Sequence, residues 1–436
     1  MAAGGCAGPS GESRRVLNSY LAQRQYAQAD AYLDGAKLTE YGARNMVLFN
    51  LDKGIVQQHE GKYQESDASF DAAERRMDEL YTQSLTKAGG MLLLNDNTVD
   101  YAGEPYERAL LNAFRAMNYV FLGKPDDALV ESRKLERFLQ ELNDTTGGEG
   151  RYRDDPYARY LDALLFADGG LMDDARISLE AATAAYKDYA SDYGTPAPRF
   201  DFENAPNRHG ELVFVHYNGV APRKVSKTFQ IAWGQAQLLV QQSSDAEAND
   251  SRVKNALAAG VLGSAVTVSY PEYVQDRFSI VSSEVSIDGR PAGSTQLMEN
   301  VSAIAARTLQ NRMGLIKTRA IARATVKYIL AQTAAKAAAQ ACNRQFAAGS
   351  WQNLLCKGAT RGLAQGVAAG TETADTRSWT TLPAEIRMAR VKVEPGRHDV
   401  VVTFKNAAGA VVDSQAFSGV AVSDGRRTYL AARTAQ

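Results

Sequence analysis

The sequence predicts a multidomain α+β chain: an N-terminal α-helical repeat solenoid, then a small antiparallel β-sandwich-like domain carrying a long helical hairpin insert. Three observations carry this. Helical spacing with recurring small residues fills 13–193. Beyond the Pro/Asn/Gly-rich stretch 194–210 the period changes to strand-like alternation, over 208–433. Within that half, 300–370 is Ala-rich and basic. With 436 residues and 45% hydrophobic content, each part can bury a core. A net charge of −1 excludes a protein that is basic throughout, and thus a bulk nucleic-acid binder. No apolar run reaches the roughly 18 residues of a membrane-spanning helix.

Residues 1–12 form a tail, Met1-Ala-Ala-Gly-Gly-Cys6-Ala-Gly-Pro-Ser10. Small residues ending in Gly-Gly-Cys are similar to the cleavage end of a bacterial lipoprotein signal, whose cysteine is acylated. Ala3 stands where that pattern more often has Leu. The charged and apolar parts of such a signal are missing ahead of Cys6, which leaves two readings open: a start upstream of Met1, or an ordinary tail with a chance cysteine. Acylation at Cys6 would supply more than one anchoring chain, enough for stable membrane attachment.

Over 13–193 a Gly-x-aromatic-x-x-small pattern recurs, with a large residue four positions on and a small one seven on. Tyr26, Ala29, Leu33 and Ala36 fit it. Gly61, Tyr63, Ser66, Phe70 and Ala73 fit it again; Gly123, Ala128 and Leu135 fit in part, as do Gly170, Ala175, Leu179 and Ala182. Gly54, Ala116 and Ala163 each stand seven before the glycine. This is the tetratricopeptide (TPR) signature, in which small residues let paired helices approach closely. The glycines lie farther apart than the uninterrupted 34-residue repeat, so insertions are expected near 84–106 and 141–156. A TPR-like array offers a concave surface to a protein partner. Asn112, Arg115 and Asn118 on one helix, and Tyr157 and Tyr160 on another, are candidate partner-binding groups. The competing reading makes them solvated faces and inter-repeat packing.

The β-rich half offers strands at 211–217, 278–287, 387–393, 399–404, 410–414 and 429–432. Asn218-Gly219, Asp288-Gly289, Ala408-Gly409 and Asp424-Gly425 mark its turns. From 301 to 370 no Asp or Glu occurs, while ten basic residues do. Residues 315–347 lack Gly and Pro and read as one long helix. Ile321, Ala324, Tyr328, Ala331, Ala335, Ala338 and Cys342 form one small-residue seam. Arg312, Arg319, Arg323 and Lys327 fall on another face, a candidate contact for an anionic surface; alternatively they pair with acidic residues of the fold. A second seam, Leu355 to Ala369 through Gly362 and Gly366, implies an antiparallel hairpin turning at Gly349. Cys342 and Cys356 lie symmetrically about that glycine, so a Cys342–Cys356 disulfide in an oxidising compartment is expected. Two buried reduced thiols in a cytosolic protein are the competing reading.

Several segments, in order, carry a family resemblance: Tyr101-Ala-Gly-Glu-Pro-Tyr-Glu107 leading to Ala116-Met-Asn-Tyr119 and Ala128-Leu-Val-Glu-Ser-Arg133; Gly210-Glu-Leu212; Pro222-Arg-Lys224; Thr318-Arg-Ala-Ile-Ala-Arg323; and Asp375-Thr-Arg-Ser-Trp-Thr-Thr-Leu-Pro-Ala-Glu-Ile-Arg387. Over roughly residues 12–433 the chain resembles an uncharacterised family of bacterial tetratricopeptide-repeat-containing envelope lipoproteins. The resemblance implies lipidation at Cys6 and a periplasmic fold anchored in the envelope, in the outer membrane by preference. It implies no assigned activity; relatives are encoded near lipoproteins that activate peptidoglycan synthases.

Enzyme motifs are thin. The four histidines, His59, His209, His216 and His398, lack metal-site spacing. Ser251-Arg-Val-Lys254 matches Ser-x-x-Lys, but a helix cap explains Ser251 as well. Trp379 could stack on a sugar or anchor a core. The expectation is a non-catalytic envelope scaffold or assembly factor, with a protein partner on the array, a membrane anchor, and no catalytic residue, metal, cofactor or nucleic acid; a homo-oligomer stays open. The alternative is a peptidoglycan- or glycan-processing enzyme, or a regulator of peptidoglycan synthesis.

Overall fold

The computed structural model describes residues 8–86, 99–146, 152, 154–198, 209–241, 265–359 and 373–436. The fold is mixed α+β, with the helices mainly N-terminal. Eight helices pair in chain order: α1 (Gly11–Ala22) with α2 (Tyr26–Ala36), α3 (Met46–Glu60) with α4 (Tyr63–Thr86), α5 (Pro105–Phe121) with α6 (Pro125–Thr146), and α7 (Pro156–Asp168) with α8 (Met172–Asp192). Each pair also packs on the next. Local chemistry starts the helices. Ser10 caps α1, Asp155 caps α7 ahead of Pro156, and Glu104 forms a reciprocal capping box with Glu107 ahead of Pro105. Gly61 ends α3 with φ +86°, a conformation L side chains rarely adopt. Gly54 permits the closest approach of α3 and α4: a Cβ there would stand 2.5 Å from the Phe70 ring.

Ten strands follow. β1 (Gly210–Asn218), β6 (Gln296–Glu299), β7 (Glu385–Val393) and β10 (Arg427–Thr434) make one four-stranded sheet in the order β10-β1-β7-β6. β4 (Ile280–Ile287), β5 (Arg290–Ser294), β8 (Gly396–Asn406) and β9 (Val411–Val422) make another, β5-β4-β8-β9. β2 (Arg223–Ala232) and β3 (Ala265–Val274) form a separate ribbon. The expectation of an antiparallel layer needs one correction. β10 runs parallel to β1 because the chain returns from the second sheet before adding its last strand. The ribbon strands β2 and β3 and the short β5 and β6 are not among the sequence-predicted strands.

Strand β1 explains the layering. All nine residues are buried, so both of its faces are covered. Val213, Val215 and Tyr217 join the helical core, while Leu212 and Phe214 join a core shared with Val285, Val402 and Phe404 of the second sheet. The order is therefore helices, first sheet, second sheet. The helical and β-rich halves do not keep separate cores: Trp379, Leu382, Ile386 and Met388 belong to the same cluster as Phe70, Phe114 and Leu161.

A long helix, α10 (Val301–Gln345), leaves this body; α9 (Trp233–Gln241) precedes it in the chain. It begins earlier than sequence predicts and passes through Gly314. Val301, Ile304 and Ala305 bury against the main core, which outweighs the roughly 1 kcal/mol cost of a mid-helix glycine. Farther along, Ala320, Ile321 and Ala324 pack on the β2–β3 ribbon and α9. Beyond Thr325, Ala335, Cys342 and Asn353 are the buried side chains among the described residues up to 359. After the turn at Gly349 (φ +82°) a further helix, α11, begins at 351 and is described as far as 359.

Candidate functional site

The two groups of polar residues expected to face a partner point inward. Arg115 is 3% exposed. Its Nε donates to Asp67 at 2.8 Å and its Nη1 to Glu74 at 2.5 Å; Asp71 and Glu131 lie 3.5 Å from Nη2. Burial alone would weaken its charge, but the surrounding carboxylates outweigh that and raise its pKa. Asn112 donates to Glu74 and Glu131, and Asn118 to the Ser66 hydroxyl. These residues bind α4, α5 and α6 to one another. Tyr157 is buried beside Tyr217 of β1, and the Tyr160 hydroxyl accepts a bond from Arg390 Nη1 at 2.7 Å. None of the five presents a free polar group to solvent. On a paired-helix array a polar residue on an apolar helix reads the same whether a partner or the chain itself covers it.

Here the chain covers it. Trp379, 1% exposed, sits against Phe70 and Phe114, with both ring centroids at 6.0 Å. Its backbone N–H donates to Glu107 at 2.8 Å, and its indole N–H to Thr381 at 2.9 Å. Thr381 in turn donates to Asp52 at 2.6 Å, and Tyr41 donates to the other Asp52 oxygen at 2.6 Å. Burial raises the Asp52 carboxyl to about 6. Burial, then the neighbouring Glu104 charge, raises Glu107 to about 7. Asp155, the α7 cap, rises to about 6 by burial as well. Trp379 is thus a core anchor, buried where no sugar can reach it.

The basic face of α10 divides. Arg312 donates to Glu104 at 2.9 Å, and Lys224 reaches the same carboxylate at 2.8 Å. Burial of Glu104 would raise its pKa, but Lys224 and Arg312 outweigh burial and lower it. Arg323 is 6% exposed, within the contact of α10 with the ribbon; Arg319 and Lys327 are half-buried. The four therefore do not form one open cationic face, because the helix turns part of it onto β2–β3.

Cys342 and Cys356 stand at disulfide distance, with Cα atoms 6.0 Å apart. Asn353, 1% exposed, reinforces the turn by donating to the Cys342 carbonyl at 3.2 Å. Outside this braced turn, α11 exposes Trp351 at 68%, Leu354 at 64% and Leu355 at 63%. The expected seam through Leu355 and Ala359 is therefore not packed at these two positions, which are exposed. Sequence reasoning missed Trp351 and Leu354, although Trp-x-x-Leu-Leu beside a carboxylate-free run was the signal.

Cys6, Ser251, Gly362, Gly366 and Ala369 lie outside the described residues. Of the histidines, His209 faces Glu394 and His398 faces Asp288, at 3.0 and 2.7 Å. His216 is fully buried between Ser283 and Thr434. Among the described residues no group of three His, Cys, Asp or Glu could hold a metal ion. No described helix is long and apolar enough to cross a membrane. No family model, curated protein or solved structure matches the chain.

Proposed function

We propose that the protein is a non-catalytic scaffold of a bacterial cell envelope, lipid-anchored through Cys6 with its folded part in the periplasm. On this reading the helix pairs are a TPR-like array and the two large sheets a β-sandwich. The family resemblance supports the anchor and the location. Trp379 and the first sheet share a core with the helix pairs, which on this reading favours a partner surface elsewhere on the molecule.

The observation that carries the proposal is the exposed Trp351–Leu354–Leu355 face of α11. A helix rises about 1.5 Å per residue, so the twenty-one residues from Thr325 to Gln345 span roughly 30 Å. An apolar helical face suits a groove on a protein partner, in the manner of helix-in-groove recognition. The absence of carboxylates from 301 to 370 favours a groove with an acidic rim. Tip substitutions touch no core side chain and are expected to leave stability within about 0.5 kcal/mol.

A photo-cross-linking residue replacing Leu354 in the full chain, in its own envelope, tests this. One discrete protein adduct, lost when Trp351→Ser or Leu355→Ser is added, is expected. Labelling of lipid alone, or an adduct indifferent to both substitutions, overturns it.

A further inference from the structure

A cleft of about 330 Å³ opens where α2, α3 and α4 meet β9 and β10. Aromatic side chains wall it: Tyr26 and Tyr63 from the helices, Phe121 from the end of α5, and Phe417 from β9. At its base stands Arg433 of β10, 2% exposed. Its Nη2 donates to the carbonyls of Thr381 and Leu382, at 3.0 and 3.3 Å. Its Nε and Nη1 have no hydrogen-bond partner, and no ion pair among the described residues includes it. Beside it His59 lies between Tyr26 and Tyr217, ring centroids 5.7 and 5.5 Å away, with its Nε2 shut off from solvent and unpartnered.

The other charges around the cleft have their own partners. Arg24 holds Asp413 at 2.5 Å, and Glu60 Oε1 holds Lys62 at 2.9 Å. Glu60 Oε2 remains buried without a partner. A buried guanidinium without a counter-ion is costly, and its neighbours normally include a carboxylate. Burial pushes Arg433 down to about 10, leaving it charged at neutral pH, and the groups that oppose the shift are the tyrosines Tyr26 and Tyr217. Burial, then the Arg433 charge, lowers His59 well below its ordinary value, so its imidazole is neutral and adds no second positive charge.

We propose that this cleft binds a small monoanionic ligand, a carboxylate on a ring or apolar body, with Arg433 as its anchor and His59 as a second polar contact. The volume suits a ligand of metabolite size, and four aromatic walls suit a ring. Charge selects the carboxylate over a phosphate dianion: one uncompensated cation lines the cleft, and the Glu60 oxygen at its border would repel a second negative charge. Arg433 offers three unused N–H bonds, more than a carboxylate needs.

Calorimetric titration of the full chain with benzoate, benzyl alcohol and inorganic phosphate tests the proposal. Saturable one-site benzoate binding is expected, with benzyl alcohol and phosphate each weaker by about tenfold or more. Arg433→Met should weaken benzoate by about tenfold or more, and His59→Gln by a smaller factor. Should Arg433→Met fail to fold, Phe417→Trp, which fills the cleft from a half-buried wall position, replaces it and should also abolish binding. Benzoate binding no tighter than benzyl alcohol, phosphate binding tighter than benzoate, or benzoate binding indifferent to the folded blocking variant overturns the proposal.

Discussion

The seam between the helices and the first sheet, and the arm that leaves it, are stabilised by different means. The seam packs Trp379, Phe114, Tyr217 and Ile386 into one core and buries Asp52, Glu107 and Asp155 within it. Among the described residues the arm beyond Thr325 buries few side chains; it is alanine-rich and is closed at its far end by the Cys342 and Cys356 sulfurs. A layer thick enough to exclude water holds itself by apolar area and makes its ionisable groups sensitive to pH. A segment that buries few of its described side chains instead closes its turn by a covalent bond. The contrast assigns large, pH-dependent effects to the seam and local, redox-dependent ones to the arm.

The largest effect should come from the seam. Trp379→Ala removes a ring packed on Phe70 and Phe114 and leaves Thr381 without its indole donor, at about 4 kcal/mol. Chemical denaturation should show the helical and β-rich signals lost together, since both halves share this core. If the helices kept their own midpoint while the sheets melted, the single-core account would fail.

Next comes pH. Asp52 titrates near 6 and Glu107 near 7 when folded, above the ordinary 3.8 and 4.5. Between about pH 4 and 7 the folded state therefore holds more protons than the unfolded chain. Stability is fully present at the acid end of that window and is lost as pH rises through the folded values. Each group accounts for roughly 3 kcal/mol, and the slope should end above about pH 7. Glu107→Gln should flatten the upper part of the curve; an unchanged slope would show that Glu107 is not the titrating group.

The smallest global effect belongs to the arm. Reduction, or Cys342→Ser, opens a closed loop worth about 3 kcal/mol, but that loss is confined to the turn. Protease sensitivity near Gly349 should rise while the global midpoint stays within about 0.5 kcal/mol. A fall of the global midpoint would show that the arm helps to hold the body.

The helix pairs were legible because close approach demands small residues at fixed positions, and Gly54 against Phe70 shows that demand directly. The cysteine pair was legible for a similar reason: a hairpin turning at Gly349 places equal distances along its two legs opposite each other. The ribbon was not. Arg223–Ala232 exposes Lys227 and Thr228 and buries Lys224, beside Glu104, and Ile231, in the cluster with α9 and α10, so its own pattern is weak. Arg433 was also hidden. It follows Leu-Ala-Ala in a strand, where an arginine ordinarily marks the solvent side.

By itself the sequence determined the paired N-terminal helices, most of the long helix, six of the strands, the change of architecture after 193, and the cysteines that meet. These follow from periodicity, turn chemistry and local geometry, which act over a few residues. Only the tertiary structure decided that Trp379 and the first sheet pack into one core with the helix pairs. The same holds for Asn112, Arg115 and Asn118 being internal struts, and for Arg433 being buried without a carboxylate. Burial is a property of what packs on a residue, and in this protein the covering segment comes from hundreds of positions away: Trp379 donates to Glu107, and Thr381 to Asp52.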